Sequence, residues 1–367
     1  VYAGAEVHGP KRQPAASSRR CCPSFEALSQ SGWSEIAAAG FQARLPWLGG
    51  DLQTLRDTLK PPRLPVDKGE PVRVPLADGG QLLALHDRSQ QPLALVLLLH
   101  GLGGHSDREG LRRMGLALQA AGFSVLRLNL RGAGKGRALA QGTYAAHCNR
   151  DLWPVLACAR QLAAGRPLFG AGISLGGTIL LNACLEQPDA LDGLVCTSSP
   201  LDLAACSASI ERPRNRIYQR WLMRRLVAQT LQDDSSVTAA ERQGLQQVQT
   251  IRDFDDLITA PRWGYGDVGR YYQQASPSPR LNQLVTPTLL LQADDDPWVP
   301  ASEARRQQGR NGAFEVVISR GGGHNGFHGW GDEPFACWGD RLTAAWLRDR
   351  CRTIPGAQGT DAVPQWR

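Results

Sequence analysis

A serine between two glycines constrains this chain more than any other feature. Residues 168–177 read Leu-Phe-Gly-Ala-Gly-Ile-Ser-Leu-Gly-Gly; the apolar run before Ser174 predicts a strand, and Thr178 to Leu185 predict a buried helix. A strand that turns so tightly into a helix leaves no space for a Cβ at Gly172 or Gly176, and it strains the serine backbone. The pattern therefore predicts a serine hydroxyl held out at the carboxyl end of a strand.

Strand-like and helix-like segments alternate along the first half of the chain. Val72–Pro75 and Gln81–His86 flank an Asp-Gly-Gly turn and predict a hairpin. The segments that follow are a strand at Leu93–Leu99, a helix at Asp107–Ala121, a strand at Val125–Asn129, a helix at Arg150–Ala164 and, beyond Ser174, a strand at Leu191–Thr197. This alternation predicts an α/β fold, with a mostly parallel sheet and helices on both faces.

The alternation stops between residues 203 and 284, where arginine-rich and glutamine-rich stretches predict helices. Strand patterns resume at Thr288–Gln292 and Phe314–Ile318, and Pro334–Asp349 predicts a closing helix. A strand-free insertion of this length predicts a helical lid over the active site. The predicted division is a basic, disordered tail (1–30), the first part of the main domain (31–202), the lid (203–284), the second part of the main domain (285–350) and a C-terminal tail (351–367).

The composition is that of a soluble globular protein, with 42% hydrophobic and 20% charged residues. No apolar run reaches the roughly 20 residues that span a bilayer, and the N-terminus shows no signal-peptide core. Nine dispersed cysteines lack metal-ligand spacing and favour a reducing, cytoplasmic location. The net charge of +7 has no nucleic-acid module beside it, so we expect no nucleic-acid partner.

A serine hydroxyl needs a base to act as a nucleophile, and the base is sought among seven histidines. Only His324 and His328 lie in a loop directly after a late strand. His324 is favoured, because the three glycines before it allow the loop to approach Ser174. His328 remains an alternative base, although we expect it to lie at the surface or to face the substrate.

The acid that orients the base is expected at the end of the strand Leu289–Ala293. Three aspartates follow this strand, and Asp296 is favoured because Pro297 makes the turn after it rigid. Asp294 and Asp295 remain open, as does Asp202 after the preceding strand. The order serine, aspartate, histidine is that of α/β-hydrolases.

Two backbone N–H groups are predicted to stabilise an oxyanion. His-Gly-Leu-Gly-Gly, from residue 100, follows an early strand, and Leu175 begins the helix after the serine. The N–H groups of Leu102 and Leu175 are therefore the expected donors. A phosphate-binding loop is disfavoured, since no Lys-Ser/Thr pair follows the glycines.

Short motifs spread along the chain match those of one family. They are His-Gly-Leu-Gly-Gly from residue 100, Asn-Leu-Arg-Gly from 129, Gly-Ile-Ser-Leu-Gly-Gly from 172, Asp-Asp-Pro-Trp-Val-Pro from 295, Gly-Gly-His-Asn-Gly-Phe from 322, and an early Pro-Trp with Leu-Gln-Thr-Leu from 52. The chain thus resembles the YheT-like hydrolases of the α/β-hydrolase superfamily. The resemblance implies hydrolysis of carboxylic esters, often short-chain esters or acylglycerols, without a cofactor or metal and with Ser174, Asp296 and His324 as the triad.

The chain departs from this family in places that bear on substrate choice. Ala133 and Lys135 stand where the family tends to have Cys and Gly, and Thr178 stands where Asn is usual. The lid sequence is also poorly matched. The resemblance therefore supports the triad and leaves the substrate undefined.

The predicted lid contains a basic amphipathic pattern. Arg216, Arg220 and Arg224 recur every four residues, with Ile217, Trp221 and Leu222 beside them. Such a helix can attract an anionic acyl substrate or lie on an anionic lipid surface. The competing interpretation is a solvated helix whose apolar side packs on the main domain.

These observations predict a serine esterase that works through an acyl-enzyme on a small ester or lipid substrate. Acyl transfer to an alcohol with the same triad is one alternative, and a non-catalytic binding protein on the same scaffold is another. Acyl-chain length, leaving group and oligomeric state are left open by the sequence.

Overall fold

The computed structural model describes residues 32–232, 236–332 and 335–354. The predicted N-terminal tail (1–30) and residues 355–367 of the predicted C-terminal tail lie outside the described residues.

The centre of the fold is an eight-stranded sheet in the order β1-β2-β4-β3-β5-β6-β7-β8. The strands are β1 (Glu70–Pro75), β2 (Gln81–Asp87), β3 (Leu95–Leu99), β4 (Ser124–Leu128), β5 (Leu168–Ile173), β6 (Gly193–Thr197), β7 (Thr288–Ala293) and β8 (Phe314–Ser319). The β1–β2 hairpin is antiparallel and β2 pairs antiparallel with β4, while every pair from β4 to β8 is parallel. The predicted hairpin and the mostly parallel sheet are both confirmed.

Helices cover both faces of the sheet, which explains why the central strands are apolar throughout. Helices α1 (Trp33–Ala39) and α2 (Gly49–Leu59) precede the sheet, and α3 (Glu109–Ala120), α4 (Asn149–Ala163) and α5 (Leu175–Glu186) connect its strands. Residues of α3 pack with Val96 and Leu98 of β3, whereas residues of α4 and α5 pack with Leu97 and Leu99 on the opposite face. Every residue of β3 is buried.

Between β6 and β7 the described residues form helices and no strand. These are α6 (Leu203–Ile210), α7 (Arg216–Leu231), α8 (Ala239–Leu245), α9 (Ile251–Phe254) continued by a π-helical turn (Asp255–Thr259), α10 (Ala260–Arg262) and α11 (Val268–Ala275). Their apolar side chains form a third core cluster, which includes Val299 from the loop after β7. This helical segment therefore packs against the carboxyl edge of the sheet.

Two late elements differ from expectation. Helix α12 (Ala301–Gln307), between β7 and β8, was not predicted; it is short and starts directly after Pro300. Helix α13 spans Trp338–Thr353 rather than Pro334–Asp349. Its start is set by Asp340, whose carboxylate accepts the backbone N–H of Cys337 at 3.0 Å in a capping box.

The seven cysteines among the described residues are free thiols. A search of the same residues finds no helix that combines the length and the apolar character needed to cross a bilayer. The predicted cytoplasmic location is not tested by either observation and stays a prediction.

Candidate active site

Ser174 lies at the turn between β5 and α5, where the strand reaches the carboxyl edge of the sheet. Its backbone has φ 53° and ψ −125°, a conformation that non-glycine residues rarely adopt. A Cβ at Gly176 would lie 2.6 Å from the carbonyl oxygen of Leu99, and one at Gly172 would overlap the backbone of Gly177. The close approach of α5 to β3 therefore requires the two glycines and holds the serine side chain out of the turn.

His324 comes from the loop after β8 and reaches the serine. Its Nε2 lies 3.0 Å from Ser174 Oγ, within hydrogen-bonding distance. The imidazole is buried, and the ring of Trp298 packs on it with centroids 4.4 Å apart and planes inclined by 30°. The structure thus places the favoured base beside the serine.

Asp296 lies after β7 on the far side of the imidazole. Its Oδ2 is 2.9 Å from His324 Nδ1, and its side chain is fully buried. Oδ1 accepts the backbone N–H groups of Trp298 at 2.8 Å and Val299 at 3.0 Å. Because the carboxylate is fixed by these donors, it holds the proton of the imidazole on Nδ1 and leaves Nε2 to face Ser174.

The other three aspartates considered from sequence have different partners. Asp294 Oδ1 accepts the N–H of Gly321 at 2.7 Å, and Asp295 Oδ1 accepts the N–H of Gly323 at 2.8 Å. Asp202 caps helix α6 by accepting the N–H of Ala205 at 2.9 Å. None of these bonds reaches the imidazole, although those of Asp294 and Asp295 hold the loop that carries it.

The expectation that His328 lies at the surface or faces the substrate is wrong. Only 3% of its surface is exposed, because helix α2 and the chain after the loop enclose it. Its Nε2 lies 3.2 Å from Asp57 and its Nδ1 lies 3.5 Å from Asp332. Both ring nitrogens face carboxylates, so the alternative base is engaged away from Ser174.

The predicted oxyanion donors both line the cavity that Ser174 faces. Leu175 is the first residue of α5, so its N–H has no acceptor within the helix. A Cβ on Gly101 would lie 2.9 Å from Ser174 Cβ, which shows how closely the loop after β3 approaches the serine. Leu102 follows Gly101 directly and lines the same cavity, so its role as the second donor stays a prediction.

His100 and Tyr144 hold the loop that carries Leu102, and neither of them was assigned a role from the sequence. His100 Nε2 accepts the N–H of Leu130 at 3.2 Å, so Nδ1 carries the proton that is donated to Gly101 O at 2.8 Å. Burial lowers the pKa of His100 to about 4, which keeps the ring neutral. Tyr144 Oη donates to the same oxygen at 3.1 Å and accepts the N–H of Gly103 at 2.8 Å.

A cavity of about 520 Å³ opens over Ser174 between the sheet edge and the helical segment. Its apolar lining includes Leu203, Ile210, Leu222, Leu226, Ile251 and Phe254. Asp255, which also lines it, is half-buried, and desolvation raises the pKa of its carboxyl to about 6. The cavity therefore suits an extended apolar group beside the serine.

Helix α7 presents two faces. Leu222 is buried, whereas Ile217 and Trp221 are 79% and 39% exposed, and Arg216, Arg220 and Arg224 are exposed as well. The sequence allows two interpretations of this helix, binding of an anionic lipid or substrate and packing of its apolar side. Packing accounts for the buried Leu222 but not for the exposed Ile217 and Trp221.

Comparison with known proteins extends these observations. The sequence model of the Hydrolase_4 family, described as serine aminopeptidase S33, matches residues 90–328. The chain belongs to this family.

Its relatives include YheT of Escherichia coli K12, which carries an esterase name, at 31% identity over 64% of this chain and 70% of YheT. Phospholipase ABHD3 of Homo sapiens is 28% identical over 68% of this chain, and the chain spans only 64% of its length. The crystal structure of a bacterial membrane phospholipase A superposes with a TM-score of 0.51 at 20% identity, covering 78% of this chain and 87% of that one, and shows the shared fold. The predicted likeness to YheT and the α/β-hydrolase fold are thereby confirmed.

Proposed function

We propose that this hydrolase of carboxylic esters works through an acyl-enzyme, with Ser174 as nucleophile, His324 as general base and Asp296 as the group that orients the imidazole. The observation that carries the proposal is a chain of two hydrogen bonds through one imidazole. His324 Nε2 lies 3.0 Å from Ser174 Oγ, and His324 Nδ1 lies 2.9 Å from Asp296 Oδ2. The N–H groups of Leu102 and Leu175 stabilise the oxyanion. Removing one such donor costs about 3 kcal/mol of transition-state stabilisation in a serine protease of a different fold.

The reaction runs in two halves. Ser174 Oγ attacks the ester carbonyl while its proton passes to His324 Nε2, and the imidazolium then protonates the departing alcohol. Water then gives a proton to the same nitrogen as its oxygen attacks the acyl carbonyl. The bond to Ser174 Oγ breaks, Oγ takes the proton back from His324, and the free acid leaves. The burial of Asp296 and the stacking of Trp298 keep the imidazole in one orientation through both halves.

The substrate is a lipid-like ester whose acyl chain lies in the cavity under residues 203–284, which act as the lid. The apolar lining from α6, α7 and α9 supports this choice, as do the phospholipase and esterase names of the relatives. The aminopeptidase description of the family makes peptide-bond hydrolysis the other activity to test.

Active-site labelling with a fluorophosphonate probe tests the mechanism. We expect the native protein to be labelled and Ser174→Ala not to be, with Ser124→Ala, at the opposite end of the sheet, as the matched control. No labelling of the native protein would favour the non-catalytic alternative. Ester products formed from an added alcohol would show acyl transfer.

Substrate class is tested with a chain-length series of p-nitrophenyl esters and with amino-acid p-nitroanilides. We expect kcat/KM to rise with acyl length for the esters and to be negligible for the anilides. Anilide hydrolysis that matches or exceeds ester hydrolysis would contradict the lipid-ester proposal.

We also propose that the cavity mouth docks on an anionic phospholipid surface. Trp221 lines the cavity and is exposed, next to Ile217. The start of α7 is joined to α2 through Asp51, which binds Arg214 at 2.9 Å and Tyr218 at 3.0 Å. This contact brings a second exposed apolar group, Leu45, Leu48 and Leu52, to the same side. Apolar side chains flanked by exposed arginines are typical of interfacial binding.

Liposome co-sedimentation at low salt tests the docking. Arg216→Glu/Arg220→Glu is compared with Arg166→Glu/Arg310→Glu, which changes the net charge by the same amount near the starts of β5 and β8, at the other edge of the sheet. We expect binding to vesicles of phosphatidylserine and phosphatidylcholine to fall only in the first variant. Equal binding by both variants would contradict the proposal.

A further inference from the structure

The loop that carries His324 has little structure of its own. Glycines 321, 322 and 323 and the non-glycine residues Asn325 and Phe327 all have positive φ. The backbone bonds within the loop are those from the N–H groups of Gly326 and Phe327 to Gly322 O, at 3.1 and 3.0 Å. The glycines make the loop easy to deform and the conformations of Asn325 and Phe327 are costly, so the loop needs support from outside itself.

Thr54 of helix α2 binds the backbone of His324 directly. Its Oγ1 accepts the N–H of His324 at 2.8 Å and donates its own proton to Gly50 O at 2.6 Å. Because the second bond fixes the rotamer of the threonine, the acceptor is held in the direction of the histidine backbone. The imidazole on the same residue faces Ser174.

Gln53, the preceding residue, binds the other end of the loop. Its Oε1 accepts the N–H of His328 at 2.8 Å, and its Nε2 donates to His328 O at 2.8 Å and to Trp47 O at 2.7 Å. The side chain is 1% exposed and pairs with the His328 backbone as a neighbouring strand would. The loop is therefore held on both sides of the triad histidine.

The glycines of the loop are what allow helix α2 to come so close. A Cβ on Gly326 would lie 2.6 Å from Gln53 O, and one on Gly323 would lie 2.7 Å from Thr54 Oγ1. One turn further along the helix, Asp57 reaches His328 Nε2 at 3.2 Å. The contact between helix and loop is thus continuous from residue 50 to residue 57.

We propose that Gln53 and Thr54 are positioning residues that hold His324 in register with Ser174. The inference rests on the proposed function only in taking His324 as the base. Both residues lie before the part of the chain, 90–328, that matches the family model. Helix α2 fixes the position of the loop backbone at His324, while Asp296 fixes the orientation of the imidazole ring.

The test compares Thr54→Val, which keeps the shape but removes the acceptor, with Thr54→Ser, which keeps the hydroxyl. Rates are measured with a soluble p-nitrophenyl ester and expressed per active site titrated with a fluorophosphonate. We expect kcat to fall about 10- to 100-fold in Thr54→Val with KM within about twofold, and Thr54→Ser to recover most of the rate. Leu59→Ala, at the exposed end of the same helix, is the control and should keep the native rate.

Gln53→Leu extends the test to the other end of the loop, and its folded fraction is checked by circular dichroism. If this variant fails to fold, the comparison of Thr54→Val with Thr54→Ser tests the proposal by itself. Native kcat per titrated site in Thr54→Val, or a Thr54→Ser variant as slow as Thr54→Val, would overturn the proposal. Failure of the proposed function is seen separately, as probe labelling or esterase activity that survives in Ser174→Ala.

Discussion

Arg225 of helix α7 donates from Nη2 to the carbonyl oxygen of Gly103 across 2.8 Å. This bond joins the helical segment to the loop that carries Leu102, and Gln229 donates to the same oxygen at 3.2 Å. The guanidinium also lies over the ring of Trp221, 4.7 Å from its centroid. The position of the proposed oxyanion donor is therefore linked to the position of α7.

Replacing Arg225 tests this link. We expect Arg225→Met to lower kcat/KM for a soluble ester by about tenfold, equivalent to about 1.4 kcal/mol, because Gly103 O loses one of its two hydrogen bonds from α7. The neighbouring exposed Arg224→Met should leave the rate unchanged. Equal rates in the two variants would show that the bond to Gly103 has no part in catalysis.

Replacing Asp296 tests the orientation of the imidazole. Asp296→Asn keeps the shape of the side chain but its amide can donate to Nδ1, which favours the wrong tautomer. We expect kcat to fall by about 10⁴ with little change in KM, as for the same change in a serine protease triad. Asp294→Asn is the control, since that carboxylate binds only the loop backbone at Gly321. A smaller loss in Asp296→Asn than in Asp294→Asn would contradict the assignment.

Asp255 should make stability depend on pH. Desolvation raises the pKa of this carboxyl from 3.8 to about 6, and its bond from Tyr272 Oη at 2.9 Å only partly offsets this effect. The folded state therefore holds a proton that the unfolded state has released, and stability falls as the pH rises from about 4 to about 6. Above about pH 6 the carboxylate is charged in both states, and the folded state bears the full cost of burying that charge.

Urea unfolding of Asp255→Asn and the native protein measures this penalty. We expect the variant to gain stability relative to the native protein by up to about 3 kcal/mol between pH 4 and pH 7, at roughly 1.4 kcal/mol per pH unit. Other titrating groups contribute equally to the free energy of unfolding of both proteins, so their effect cancels when the two values are subtracted. A difference that is the same at both pH values would contradict the prediction.

His100 should make stability depend on pH in the opposite direction from Asp255. Burial lowers its pKa from 6.5 to about 4, so the unfolded state takes up a proton before the folded state does. Stability is then lost as the pH falls from about 6.5 to about 4. We expect the ring to stay neutral at pH 6 in an NMR titration, and the stability of His100→Gln relative to the native protein to rise as the solution is acidified. A ring that titrates near 6.5 would contradict this.

The strands of the sheet were predictable because each has a local signal. Apolar runs mark β3 and β5, and the glycines around Ser174 mark the turn at which β5 ends. Asp296 was favoured because of Pro297 after it, but Asp294 and Asp295 could not be excluded on these grounds. Consecutive side chains at a strand end point in different directions, and only the turn angles decide which one meets the imidazole.

The errors concern side chains whose partners are distant in sequence. His328 was expected at the surface or facing the substrate, yet it is buried and pairs with Asp57, in helix α2, far from it in sequence. The roles of Tyr144 and Arg225 were likewise missed, since each binds a glycine backbone in another part of the chain. Trp298 had a usable signal, because it directly follows Asp296 and Pro297 in the motif that supplied the acid.

The bond from His324 to Thr54 joins residues 270 positions apart. Ribosomes release the threonine long before the histidine, and closing so long a loop is slow compared with forming the hairpin or the first βαβ units. A nascent chain can thus complete most of the sheet while it is still inert. The proposed catalytic site is therefore completed late in synthesis, when helix α2, near the start of the described residues, meets nearly the last loop to emerge.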